Sequence, residues 1–196
     1  MTTSTPARRL GTTDSQSRTR LLDAAERLLV EEGYAAVTSR RVAAEAGLKP
    51  QLVHYYFRTM DDLFAETFRR RAEANLERFE RAVAADGSLH TLWRLSTDAR
   101  GAVFTTEFVA LANHRKAIRA EIARYAERFR TVQLAALAAA MDARGVSEHM
   151  PPEVAQLLMT GLGQIMALEG ALGVTTGHDA AVAYVDAAIA RLEGDG

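Results

Sequence analysis

The sequence predicts an all-α protein. Two observations carry this. No stretch alternates apolar and polar residues with β-branched enrichment, and apolar positions recur at helical spacing almost everywhere. Glycine, proline and Asn-His breaks then divide the chain into nine helical segments.

Residues 1–16 are polar and rich in Ser and Thr, and are expected to be a flexible basic arm. Leu21, Leu22, Ala25, Leu28 and Leu29 form one helical stripe, which stops at Gly33. Thr38 reads as the N-cap of a second, short helix. Val37 and Val42 sit at its hydrophobic-staple positions, and Gly47 ends it. Pro50 suits the first position of a third helix, where its missing N–H costs nothing. Thr59, with Asp62 three residues on, caps a fourth helix that continues to about Ala85. Further helices are expected at 88–99, 101–112, 115–144, 152–174 and 179–193. The expected organisation is an arm over 1–16, a first helical domain over 17–60 and a second helical domain over 61–196. The fourth helix crosses the boundary near residue 60, so that boundary is no flexible hinge.

The chain has 196 residues, 48% apolar and 25% charged, the balance of an ordinary globular protein. It has no cysteine, which excludes a disulfide framework, a thiolate metal site and a cysteine nucleophile. No apolar run reaches the roughly 18 residues of a membrane helix, and the first ten residues hold no apolar signal core. A cytoplasmic location and no membrane partner are expected. The formal net charge of −1 hides an asymmetry: residues 1–58 carry nine Lys/Arg against six acids, +3, and the remainder carries −4. A basic front suits an anionic partner for that part alone, although random scatter would produce the same difference.

Residues 38–57, TSRRVAAEAGLKPQLVHYYF, pair two short helices through a Gly-containing turn, the pattern of a helix-turn-helix. Gly47 permits a left-handed turn residue, and Ala43 is small enough for the helices to meet. If Val42, Ala46, Leu48, Val53 and Phe57 are buried, the opposite face shows Arg40, Lys49, Gln51, Leu52, His54, Tyr55 and Tyr56. Such a face mixes donors, aromatic contact and positive charge, as readers of the major groove do. Tyr55 and Tyr56 could instead complete the small core, and Arg40 could be a solvated helix residue.

Residues 17–63 resemble the N-terminal DNA-binding region of the TetR family of bacterial transcriptional regulators. The matching pieces are Leu21-Leu22-Asp23-Ala24-Ala25, Gly33-Tyr34, Val37-Thr38, the run from Val42 to Leu48, and Tyr55-Tyr56-Phe57 followed by Leu63. Met60 stands where the family often has a lysine, and Arg58 is its candidate substitute. The resemblance implies a nine-helix architecture, with the helix-turn-helix in front of a helical ligand-binding and dimerisation domain. It implies that Thr38 and Ser39 hold phosphates at a helix start and that Arg40 reaches a base edge. Gln51, Leu52 and Tyr55 would face bases, while His54, Tyr56 and Lys49 lie near the backbone or groove edge. Arg8, Arg9, Arg18 and Arg20 would form an arm or first-helix entry near the minor groove or phosphates.

Farther along, Trp93, Phe104, Phe108, Tyr125 and Phe129, with Met159, Leu162 and Met166, suit an adaptable apolar cavity or simply a core. The resemblance implies that they line an effector pocket, with His90, Asn113, His114 and Gln164 as candidate polar groups. It also implies that the last two helices pair across a two-fold axis, through Leu158, Gly161, Ile165, Leu168, Leu172, Val185 and Ile189. Gly161, Gly163 and Gly170 each cost a helix roughly 1 kcal/mol, which suggests that close packing is needed there.

An enzyme is not expected. No phosphate-binding loop occurs, Gly161-Leu162-Gly163 lacks a preceding strand, and the five histidines are scattered. Ser17, Ser39, Ser88, Ser96 and Ser147 lie in no nucleophile-elbow motif. No metal or cofactor is expected. The expected partners are a double-stranded DNA operator, a second copy of the chain and a small apolar effector that releases the DNA. A constitutive DNA binder without an inducer, an activator using the same contacts, and a ligand-binding helical enzyme remain open alternatives.

Overall fold

The computed structural model describes residues 8–98 and 101–194. Among them are nine α-helices and no strand. They are α1 Arg8–Glu32, α2 Ser39–Glu45, α3 Pro50–Tyr56, α4 Met60–Ala85, α5 Leu89–Ser96, α6 Ala102–His114, α7 Lys116–Asp142, α8 Pro152–Ala171 and α9 His178–Glu193. Single 3-10 turns lie at Tyr34–Ala36 and Val146–Glu148. The first helix begins at Arg8, inside the segment expected as an arm; the rest of that segment, residues 1–7, lies outside the described residues.

The local signals explain the punctuation. Thr38 caps α2, its side chain accepting the Arg41 N–H at 3.4 Å. Gly47 closes the turn after α2 at φ +63°, a conformation that L side chains rarely adopt. Pro50 opens α3. Thr59 and Asp62 form a reciprocal capping box: the Thr59 N–H donates to Asp62 Oδ2 at 3.0 Å, and the Asp62 N–H to Thr59 Oγ1 at 3.1 Å.

Contacts divide the chain into two compact units, and the division differs from the boundary expected near residue 60. The first unit holds α1 to α3 and α4 as far as Arg71, and residues 107–122 return to it. Its core is Leu21, Leu22, Ala25 and Leu29 of α1, with Val42, Ala43, Val53, Phe57 and Leu63. α2 packs on both α1 and α3. Phe108 of α6 completes this core, its ring 6.4 Å from Phe64 and 5.1 Å from Phe68. A belt of Arg–carboxylate pairs surrounds it: Arg70 with Asp23 and Glu26, Arg71 with Glu26, and Arg69 with Glu121.

The second unit holds the rest of α4 and α7, α5, the start of α6, α8 and α9. Its apolar cluster includes Phe79, Leu92, Trp93, Leu137, Met141 and Ile189. α5 packs on α8 and α9. Gly163 permits the first of these crossings, since a Cβ there would lie 2.1 Å from the Ser96 carbonyl oxygen. Gly161 and Gly170 meet nothing within 4 Å, so packing inside the chain requires only one of the three glycines expected to need it. Glu193 at the end of α9 accepts the Leu89 N–H at 2.8 Å, filling an open donor at the start of α5, and pairs with Arg144 at 3.1 Å.

Candidate DNA-reading surface and effector cavity

The ten residues expected to meet DNA all lie outside the core. Thr38, Arg40, Lys49, Gln51, His54, Tyr55 and Arg58 are exposed, and Ser39, Leu52 and Tyr56 are half-buried. Tyr55 is 71% exposed, so its ring is not part of the core. It meets Tyr56 edge-on at a centroid distance of 5.0 Å. The two tyrosines therefore present an aromatic ridge at the end of α3.

The electrostatics of this surface come from selective pairing. Arg41 binds Glu32, which holds the Glu32 carboxyl below the usual carboxylate range and the Arg41 guanidinium above its own. Arg27 pairs with Glu45 at 3.0 Å. These contacts neutralise acids on the flanks of α2. Arg40, Lys49 and Arg58 make no ion pair among the described residues, so their charge faces outward. The basic excess read in the sequence is concentrated where α2 and α3 are exposed.

Two residues expected to approach DNA from α1 have other partners. Arg20 donates to the Ala46 carbonyl, bracing the turn between α2 and α3. Arg18 pairs with Glu66 at 2.9 Å and lies over the Phe57 ring at 5.6 Å. Both side chains hold the helix-turn-helix together, and their sequence position alone gave no sign of these partners. The expectation for the side chains of Arg8 and Arg9 lies outside the described residues.

In the second unit, a small cavity is lined by Phe79, Leu92, Ser96, Gln133, Leu137, Gln156, Met159 and Thr160. Its free volume is about 10 Å³, near the threshold for one water molecule. Of the eight residues expected to line an effector site, only Met159 reaches it. Trp93 belongs to the cluster beside it, and Phe129, Leu162 and Met166 pack against that cluster. Tyr125 stacks on Phe129 at 5.7 Å and accepts a hydrogen bond from Asn75 Nδ2 at 3.0 Å. Burial raises the Tyr125 phenol above its usual range. Phe104 is buried in the same unit. Phe108 corrects the expectation: it shares a helical face with Phe104, but α6 changes partners midway and Phe108 enters the first unit's core. The candidate polar groups also miss the lining. Asn113, His114 and Gln164 are exposed, and His90 faces Asp186 at 3.6 Å.

Sequence reading missed the four polar lining residues, Ser96, Gln133, Gln156 and Thr160. A signal for Gln156 existed. It is in helical phase with Ala155, Met159 and Gly163, the buried or half-buried face of α8.

The expected pairing residues divide similarly. Leu158, Ile165, Leu168 and Leu172 are exposed large apolar side chains, and Gly161 is exposed between them. Val154 and Leu157 extend the stripe, and Tyr184 and Leu192 add exposed apolar surface on α9. Ile189, however, is only 7% exposed and sits in the apolar cluster. Val185 packs against the same cluster. The sequence periodicity of α9 did not say which of its two apolar edges faces inward.

Two short helices joined at a left-handed glycine, with a cationic and aromatic outer face, define a helix-turn-helix DNA-binding protein. Residues 21–67 match the family described as bacterial regulatory proteins, tetR family. The chain is 33% identical over 145 residues to the HTH-type transcriptional regulator BetI of Rhizobium meliloti (strain 1021), covering 67% of this chain and 70% of that one. It therefore belongs to the TetR family of transcriptional regulators, and it is a regulator rather than an enzyme. The solved structure of SCO7518 from Streptomyces coelicolor A3(2) is similar, at 27% identity and a TM-score of 0.64, covering 90% of this chain and 98% of that one. A Saccharomonospora viridis protein solved in complex with choline shares the fold, at 21% identity and a TM-score of 0.64, over 80% of this chain and 87% of that one. No helix among the described residues is long and apolar enough to cross a membrane.

Proposed function

We propose that the protein is a repressor that binds a palindromic operator as a homodimer and leaves it when a small, largely apolar effector enters the second unit. The observation that carries this is the outer face of α2 and α3. Arg40, Lys49 and Arg58 make no ion pair among the described residues, and they flank the exposed Tyr55 and Gln51. α3 enters the major groove, Gln51, Leu52 and Tyr55 read bases, and Thr38 and Ser39 hold a phosphate at the N-terminus of α2. Arg40 reaches a base edge, and Lys49, His54, Tyr56 and Arg58 lie along the backbone.

Dimerisation is supported by an exposed stripe on α8 and its C-cap: Val154, Leu158, Gly161, Ile165, Leu168 and Leu172 follow one another at steps of four and three residues, with Leu157 beside them, which suits a helix seam. Leu192 and Tyr184 on α9 extend it. Two copies related by a two-fold axis place their α3 helices about 34–36 Å apart, one DNA turn. The effector binds more tightly to a form with the wrong spacing. A coupling of about 1–3 kcal/mol would lower DNA affinity roughly 5- to 150-fold. The cytoplasm is the compartment in which this reading operates.

The test is binding of the purified protein to the DNA upstream of its own gene, with salt varied and scrambled DNA as control. Salt-dependent, sequence-selective binding with two protomers per site supports the reading. Binding no better than to scrambled DNA, followed by a random-sequence selection that enriches no palindrome, overturns it. The small volume of the cavity favours a second reading, a constitutive regulator without an inducer. In that case no apolar compound releases the DNA.

A further inference from the structure

The lining of the cavity in the second unit is mixed. Phe79, Leu92, Leu137 and Met159 form an apolar wall, Ser96, Gln133, Gln156 and Thr160 supply polar groups, and no charged side chain lines it. Gln156 is the decisive member. It is 5% exposed, and its Nε2 donates to the Arg130 carbonyl at 3.2 Å and to Gln133 Oε1 at 3.3 Å. Both amide hydrogens are thereby engaged, while the Gln156 carbonyl oxygen accepts no hydrogen bond among the described residues. The Gln133 amide nitrogen donates none there either, and the Thr160 hydroxyl forms none. The Ser96 hydroxyl donates to the Leu92 carbonyl at 3.0 Å and retains its acceptor lone pairs. Ser147 Oγ is the one buried side-chain polar atom without a partner among the described residues, so these lining groups are not sealed in the core and stay open to a molecule that enters the cavity.

The two idle groups are complementary: one donor, at Gln133, and one acceptor, at Gln156. A hydroxyl, or the N–H and C=O of a neutral amide, satisfies both at once. A carboxylate would accept from Gln133 but face the Gln156 oxygen with no donor to offer. A quaternary ammonium has no N–H for either glutamine, and Phe79 is the one aromatic ring on the lining, which is short of an aromatic cage. Either ion would also meet no counter-charge on the lining.

Resting on the effector-cavity reading above, we infer that the effector is an uncharged molecule. It has an apolar body and a hydroxyl or amide group, which docks on the Gln133–Gln156 pair. The free volume holds no such molecule as it stands, so binding displaces the flexible Met159 side chain and opens the site. The choline complex of the Saccharomonospora viridis relative marks the contrast, because choline is a cation.

The experiment uses the full chain and three probes that share one tail and differ in head: octanol, octanoate and octyltrimethylammonium, each below its micelle-forming concentration. Binding is read by calorimetry and by the fluorescence of Trp93, the single tryptophan, which is buried beside the cavity. Octanol is expected to bind saturably and about tenfold or more tighter than either ion. Gln156→Leu should narrow that gap while leaving tail binding intact. Gln133→Leu and Thr160→Val repeat the test should Gln156→Leu fail to fold. Octanoate or octyltrimethylammonium binding as tightly as octanol, and weakened by the cavity-filling Met159→Phe, overturns the neutral-head inference and leaves the effector cavity standing. If no probe binds, or Met159→Phe leaves all binding unchanged, the cavity reading falls and this inference with it.

Discussion

The Glu107 carboxylate accepts the backbone N–H of Tyr34 at 2.8 Å, across 73 positions of sequence. Gly33 makes room for it: its φ is +83°, and a Cβ there would lie 3.2 Å from Glu107 Oε2. The bond ties the middle of α6 to the turn that follows α1, inside the unit that carries the helix-turn-helix. Glu107→Ala leaves a part-buried N–H unpaired and should cost about 1–3 kcal/mol in urea unfolding. An unchanged midpoint would show that water replaces the carboxylate at no cost.

The reading face makes a separable prediction. Tyr55→Ala or Arg40→Ala should each cost about 1–3 kcal/mol at the bases they read and relax specificity there. Arg58→Ala should weaken all sequences alike and reduce the salt slope by about one unit. Quantitative operator binding at several salt concentrations distinguishes the two behaviours. Parent-like binding by both Tyr55→Ala and Arg40→Ala would place the reading face elsewhere.

Two glycines of one helix should respond in opposite directions. Gly163→Ala forces a methyl group onto the Ser96 carbonyl, so α5 and α8 must separate, at about 1–3 kcal/mol. Gly170→Ala meets open space and should stabilise by about 0.5–1 kcal/mol through helix propensity. Thermal melts of the two variants should bracket the parent, and equal shifts would refute the crossing geometry.

The α8 stripe predicts an association defect. Leu158→Glu and Leu172→Glu place charges where Leu158 is 60% and Leu172 75% exposed, so the protomer should still fold. Sedimentation should show monomers by contrast with a dimeric parent, and operator binding should fall with the loss of the second half-site. Dimers that survive both substitutions would move the interface off α8.

Two groups give opposite pH dependences. Asp86 accepts hydrogen bonds from the Thr91 hydroxyl and from the Ser88 N–H and hydroxyl, which hold its carboxyl below the ordinary 3.8. Its contribution is therefore present above 3.8 and lost as pH falls through the lower folded value, and Asp86→Asn should flatten that acid limb. Burial raises the Tyr125 phenol above the ordinary 10.0, so the unfolded chain loses this proton first. Stability should fall as pH rises past 10.0, and Tyr125→Phe should remove that alkaline component. Denaturation midpoints across pH, with phenolate absorbance for Tyr125, check both signs.

The sequence by itself determined most of the elements and which residues α3 exposes. The Thr38 cap, Gly47, Pro50 and the Thr59–Asp62 box act within a few residues of themselves, so their consequences are readable locally. The same holds for which side of α3 carries Tyr55 and Gln51, because helical period fixes it once Val53 and Phe57 are inside. Periodicity says that a residue lies on an apolar face but not what that face meets. Only tertiary structure decided that Phe108 joins Phe64 while Phe104 stays in the second unit, that Ile189 points inward while Leu172 does not, and that Arg18 and Arg20 brace the fold. It also decided that Gln133 and Gln156, 23 residues apart, share one part-buried hydrogen bond. Such partners come from helices distant in sequence, and local spacing carries no information about which of them will meet.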